Sequence, residues 1–198
     1  MSDGHMTDDE KKALIEVASE CFKEAGVQKT TMESIAEKAG IDLSVIRSEF
    51  KGKSHLALVV QARDLEELKR EYLANMPDAS VLEMTKFIIK SRCEFIEKHK
   101  NRTLTIFRNA FMRRQPWSDI LDSMIWQLSV EFATLFGKGV REGEVRNDVD
   151  INAVVRAVMS FYLTAIVTIG LKADDFKAEE VWAFIEPQID LLMDVLKP

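Results

Sequence analysis

"TTMESIAEKAGIDLSVIRSEFKGK", residues 30 to 53, decides the fold. Thr30 and Glu33 have the form of a capping box, in which a hydroxyl and a carboxylate satisfy the orphan amides of a first helical turn. Ile35, Ala36 and Ala39 then recur at helical spacing, and Gly40 can take the positive φ of a tight turn without steric cost. Ser44 starts a second short helix carrying Val45, Ile46 and Phe50. Each of three residues has a steric task. Ala36 lets the next helix approach, Gly40 makes the turn, and Ile46 faces back towards Phe22 and Ile35. Two short helices joined this way look like a helix-turn-helix, but the trio alone is a weak signal, since short helix pairs with Ala and Gly are common.

Working outward, helical periodicity continues to both ends. Thr7-Asp8-Asp9-Glu10 repeats the capping pattern, and Leu14, Val17, Ala18, Cys21, Phe22 and Ala25 make one apolar stripe that Gly26 is expected to end. Downstream, helices are expected over residues 54 to 74, from a cap at Ser80 to 98, over 102 to 113, and from 118 to 139. Pro116 breaks the third from the fourth. In the loop "REGEVRNDVD", Gly143 is the stop and Asp148 or Asp150 the next cap. The last two helices span 151 to 170 and 178 to 196, with Pro187 expected to kink the final one. No stretch alternates at period two. The chain reads as an all-α protein of about nine helices.

The 198 residues suffice for one large domain or two small ones, with 46% apolar and 30% charged residues in ordinary globular proportion. "AVVRAVMSFYLTAIVTIGL" is interrupted by Arg156, Ser160, Thr164 and Thr168, so it reads as a buried core helix and no membrane contact is expected. "MSDGHMTDDEKK" lacks the basic start and apolar stretch of a secretory signal, which points to the cytoplasm. Cys21 and Cys93, far apart on apolar faces, read as buried thiols. His5, His55 and His99 share no ligand spacing and read as surface residues, so no metal and no cofactor are expected. A formal charge of −6 disfavours a nonspecific nucleic-acid coat. An enzyme is disfavoured too. There is no nucleophile elbow or glycine-rich phosphate loop, and the paired acids Glu66-Glu67 and Glu179-Glu180 do not converge.

Taken whole, "ALIEVASECFKEAGVQKTTMESIAEKAGIDLSVIRSEFKGKSHLALVV" closely resembles the N-terminal domain of TetR-family transcriptional regulators. Ala18, Phe22, Gly26, Thr30-Thr31, Ile35-Ala36, Ala39-Gly40-Ile41, Ile46, Phe50, Lys53 and Leu56 carry the match. "GKGVREGEVRNDVDINAVVRAV" resembles the loop and helix that lead into the family's dimer interface. The resemblance implies an N-terminal three-helix DNA-binding domain over residues 1 to 54, its first residues disordered. It also implies a C-terminal helical effector-binding and dimerisation domain over 55 to 198. The partners implied are a near-palindromic double-stranded operator, a small hydrophobic effector and a second copy of the chain. Thr30, Thr31, Leu43, Ser44, Val45, Arg47, Ser48, Lys51 and Lys53 are the implied DNA-contacting residues, through the helix at 44 to 50.

The chain departs from the family pattern at Asp42, Leu43 and Glu49. A carboxylate about 5 Å from a phosphate costs roughly 0.8 kcal/mol in bulk water. Such repulsion weakens binding without forbidding it, and Glu49 and Lys53, one turn apart, are placed to pair. The alternative reading is a ligand-binding dimer whose DNA contact has weakened or been lost.

Soft side chains crowd the middle helices: Met84, Phe87, Phe95, Phe107, Phe111, Met112, Met124, Trp126, Phe161 and Tyr162, with Gln127 and Glu131 as polar companions. Stripes of this kind serve as plain core; with the resemblance they imply an apolar effector chamber. Arg92, Arg108, Arg113 and Arg114 are candidates for an anionic head, though solvated surface is the commoner fate of each. For the dimer face, Ala153, Ala157, Phe161 and Thr164 are expected to meet Val181, Ile185, Ile189 and Leu192 in an isologous four-helix bundle.

Overall fold

The computed structural model describes residues 6–115, 117–172 and 176–198, so the expectations for the first residues, His5 and Pro116 lie outside the described residues. Among the described residues the expected all-α architecture is present: α1 (Asp8–Lys29), α2 (Met32–Ala39), α3 (Leu43–Glu49), α4 (Lys53–Ala74), α5 (Val81–Lys98), α6 (Lys100–Phe111), α7 (Trp117–Glu142), α8 (Ile151–Ala165) and α9 (Ala178–Leu196). A π-helical turn over Ile166–Gly170 continues α8. It divides a helix that periodicity joins into one.

The caps explain where the elements start. At α1, the Thr7 hydroxyl accepts from the Glu10 amide at 3.3 Å while the Glu10 carboxylate accepts from the Thr7 amide at 2.8 Å. The α2 box differs from expectation by one residue. Thr31 and Ser34 form it, at 3.0 and 3.2 Å, instead of Thr30 and Glu33. Gly26 also departs from its expected role. It takes φ 76°, but the chain resumes a helical turn to Lys29, so Gly26 kinks α1 without ending it. Gly40 takes φ 66° and makes the turn between α2 and α3. Asp150, one of the two candidates, caps α8.

Two compact units result. One comprises Met1–Glu67 with His99–Ile120, the other Leu68–Lys98 with Leu121–Pro198. α4 starts at Lys53 and the division falls within it, after Glu67, and the first unit takes in α6 as well as the helix-turn-helix. Leu14, Phe22, Ile35, Ile46 and Leu56 form its fully buried core. Beside that core lies a charged network. The Arg102 guanidinium, 1% exposed, donates to Gln61 at 2.9 Å, to Ser19 at 3.3 Å and to Asp64. Asp64 also accepts two bonds from Arg63, whose other nitrogen reaches Glu16 at 2.7 Å. His99, read as a surface residue, is largely enclosed, with Nδ1 3.8 Å from Asp64. Its place at the turn before α6 aims it at α4, a contact no sequence spacing encodes. His55 is half-buried against the Phe50 ring.

In the second unit α5 packs along α9, and α8 packs beside α9. The segment Ile151–Gly170 is long and apolar enough to cross a membrane by length and composition. In the fold its inner face, including Val158, Tyr162 and Ile166, packs within this unit. Cys21 and Cys93 are buried and unbridged, as expected, and burial pushes the Cys93 thiol up to about 12. Close approach fixes Gly170: a Cβ there would lie 2.6 Å from the fully buried Phe176 ring. Gly170→Ala is therefore expected to destabilise the protein by about 1 to 3 kcal/mol through overpacking. Urea unfolding measures this, and an unchanged midpoint would contradict the packing.

Candidate nucleic-acid interface and ligand site

α3 is short, amphipathic and held from behind by Ile46, which is fully buried. Its acidic residues prove to be occupied inside the subunit. Asp42 is the N-cap. Its carboxylate accepts from the Ser44 amide at 2.7 Å and from the Ser44 hydroxyl. Those bonds, side chain first, hold the carboxyl below the usual range. Glu49 turns back to α1, pairing with Lys11 at 2.9 Å and accepting from the Met6 amide at 3.4 Å, with its side chain 13% exposed. A pair between Glu49 and Lys53 was expected. Instead Lys53 Nζ donates to the carbonyls of Gln28 at 3.0 Å and Thr30 at 2.7 Å, tying the start of α4 to the end of α1.

What faces outward is polar and of mixed charge, with Asp42 itself exposed. Ser44, Arg47, Ser48 and Lys51 are exposed, and Leu43 and Val45 half-exposed. Thr31, also exposed, caps α2. Thr30 stands apart from this set. It is 4% exposed, and its hydroxyl donates to the carbonyls of Gly26 at 2.8 Å and Cys21 at 3.2 Å, so it braces the end of α1 and does not face outward. Arg47 pairs with Glu33 of α2 at 2.8 Å, both side chains well exposed. Lys11 and Glu33 were missed in the sequence because each acts across a helix boundary.

The expected chamber residues do not form one set. Phe107, Phe111 and Met112 belong to the first unit, where Phe107 is buried and stacks on Phe111 at 6.3 Å, while Met112 is 68% exposed. In the second unit Met84, Phe95 and Tyr162 are buried, whereas Phe87, Met124, Glu131 and Phe161 are partly so. Trp126 is 71% exposed and Gln127 is exposed beside it, so both lie on the outer face of α7. Phe87 and Phe95 do come together. With Leu68 and Tyr72, and with the polar Glu71, Asn75, Ser91, Glu94 and Lys98, they line a groove of about 320 Å³ between α4 and α5. Behind its wall, Tyr72 and Arg92 both donate to Glu131, the arginine at 3.2 Å, and Lys69 pairs with the same carboxylate at 3.3 Å. Burial and the Glu131 bond push the Tyr72 phenol well above its usual range. Tyr72 escaped the sequence reading because it is a single aromatic on an otherwise charged stretch of α4.

The candidate dimer residues divide likewise. Ala153 and Thr164 are exposed and Ala157 and Phe161 half-buried on one side of α8. Val181, Ile185 and Ile189 are fully buried, because α9 turns them inward within its own unit. The outward apolar side chains of α9 are Phe184, Leu191 and Val195, with Leu192 half-buried.

Residues 14–60 match the profile of the bacterial regulatory proteins of the tetR family. The chain is 26% identical over 148 residues to the HTH-type transcriptional repressor KstR2 of Mycolicibacterium smegmatis, covering 73% of this chain and 72% of that one. Among solved structures, a transcriptional regulator from Cytophaga hutchinsonii superposes with TM-score 0.79 at 16% identity, over 96% of this chain and 100% of that one. The regulator FadR of Bacillus subtilis, solved in complex with stearoyl-CoA, superposes with TM-score 0.67 at 15% identity, over 92% of this chain and 97% of that one.

Proposed function

We propose that this chain is a transcriptional regulator of the TetR kind and a dimeric repressor that releases its operator when an apolar effector binds the second unit. One observation carries the reading. Glu49 is turned back onto Lys11 and the exposed Asp42 is engaged as the cap of α3, which leaves Ser44, Arg47, Ser48 and Lys51 as the other outward polar groups. Arg47 and Lys51 supply phosphate or guanine contacts, Ser44 and Ser48 polar contacts to base edges, and Thr31 a hydroxyl at the start of α2. Lys53 has three donors and uses two on carbonyls, so one can still meet a phosphate.

The outward faces of α8 and α9 supply the dimer contact, through Ala153, Ala157, Phe161 and Thr164 on one helix and Phe184, Leu191 and Val195 on the other. Exposures of 41 to 69% for the last three are high for apolar side chains that stay in water. The ligand of the Bacillus subtilis FadR structure has a long apolar tail, which supports an apolar effector here. Selection from random duplexes tests the reading. Recovered sites should be near-palindromic, with half-centres about one helical turn or a multiple apart. Recovery of no sequence, with the dimer intact, would favour a ligand-binding dimer without an operator.

One feature supports that second reading: Glu33 occupies the arginine that DNA would use. Glu33→Gln frees Arg47 and is expected to tighten operator binding by about two- to fivefold per subunit, the scale of an exposed ion pair. Weaker binding by this variant would mean that Glu33 orients Arg47 for the groove.

A further inference from the structure

Asp42, which departs from the family pattern, is the exposed N-cap of α3, and its two oxygens are used unequally. Oδ1 accepts from the Ser44 amide at 2.7 Å and from the Ser44 hydroxyl. Oδ2 has no hydrogen-bond or ion-pair partner among the described residues. The cap needs only Oδ1, so the second oxygen is available to another molecule. Ser44 is constrained by the same contact. Its hydroxyl proton is spent on Asp42, which leaves the exposed Ser44 oxygen able to accept and not to donate. Two adjacent outward groups therefore offer acceptors alone. The bonds from Ser44 also keep Asp42 below the usual carboxylate range, so it meets DNA as an anion.

A negative charge facing a polyanion is unfavourable unless it finds a donor. Base edges in the major groove supply donors at two places only, cytosine N4 and adenine N6. The two are not equivalent. Adenine N6 lies between its own N7 and the O4 of the paired thymine, both acceptors that repel a carboxylate. Cytosine N4 has the guanine O6 on one side but only the C5 carbon on the other, so a carboxylate can approach from there without opposing an acceptor. In a helix-turn-helix, residues at the start of the second helix are the ones that reach base edges. We propose that Asp42 reads a cytosine in each half-site of the operator, its Oδ2 accepting from N4, with the Ser44 oxygen beside it as a further acceptor. Asp42 is thereby a specificity-determining residue: the acid that weakens attraction to the backbone selects the sequence. This role rests on the proposed operator reading and names one base within it.

Asp42→Asn separates the cap from the readout, because asparagine caps a helix about as well as aspartate. Its carbonyl oxygen can keep the Ser44 amide, which puts an NH2 donor where Oδ2 stands. Each protein selects duplexes from a random pool. Fluorescence anisotropy then compares the selected duplex with one whose cytosine·guanine pair is changed to thymine·adenine. Wild type is expected to fix cytosine at one position of each half-site, and to lose about five- to 150-fold in affinity when that pair is changed. The variant should replace that cytosine with a base presenting an acceptor, keep the rest of the motif, and respond less than about twofold to the change. Asp42→Ser, also a good cap and uncharged, should likewise lose the cytosine, and it carries the test should Asp42→Asn fail to fold. A wild-type motif with no fixed cytosine, or the same cytosine fixed by either variant, overturns the readout and leaves Asp42 a cap alone. Selection of no sequence by any of the proteins instead overturns the proposed operator reading, and the cytosine contact with it.

Discussion

Asp64→Ala is expected to cost about 3 to 5 kcal/mol of stability, the range for a buried ion stripped of its partner. Arg102 would remain enclosed with only Gln61 and Ser19, two neutral acceptors, for a full positive charge. Arg63 would lose two bonds as well. The loss belongs to the broken pair and not to the pair's net contribution. Replacing both residues with apolar ones, Asp64→Leu with Arg102→Met, should recover most of it. Chemical denaturation of the three proteins decides this, and a single-variant cost below about 1 kcal/mol would show that water reaches the site.

The same network sets an acid limit. Burial alone would raise the Asp64 carboxyl, but Arg102 and Arg63 together outweigh it and hold the group below its ordinary value. A depressed folded-state value stabilises the fold above the unfolded pKa, near 3.9, and the contribution is lost as pH falls through the folded value. Stability should therefore fall steeply below about pH 4, and less steeply in the apolar double variant.

Arg47→Ala with Lys51→Ala is expected to give the largest functional effect. Both side chains are exposed, so the fold should be unaffected. In the proposed dimer, two phosphate contacts per subunit would make four, and each contributes about 0.9 to the dependence of log K on log salt. The slope should thus flatten by roughly 3.6. Affinity near physiological salt would fall by several hundredfold or more while the melting temperature stays put. A wild-type slope in the double variant would place the phosphate contacts elsewhere.

Most of the fold was legible because local chemistry dictates it. Thr7 with Glu10, Gly40, Gly143 and Asp150 each set a boundary through one side chain or one backbone angle. Gly26 misled because a positive φ marks a helix end and a kink equally. Faces on strongly apolar helices were harder to assign. α9 carries apolar residues nearly all round, so Val181, Ile185 and Ile189 could not be told from Phe184, Leu191 and Val195 by periodicity. Long-range polar pairs left no trace at all. Lys11 with Glu49 spans two helices, and Arg102 with Asp64 joins α6 to α4, separations on which sequence spacing is silent.

Whether the acidic recognition segment reads DNA is tested most directly by binding of the intact protein to duplexes it selects from a random pool, titrated by fluorescence anisotropy across salt. If Asp42 and Glu49 are engaged within the subunit, wild-type protein binds specifically with a steep salt slope. Lys11→Ala, which releases Glu49 towards the phosphates, then weakens binding. Specific binding that is indifferent to salt, or strengthened by Lys11→Ala, would contradict the account.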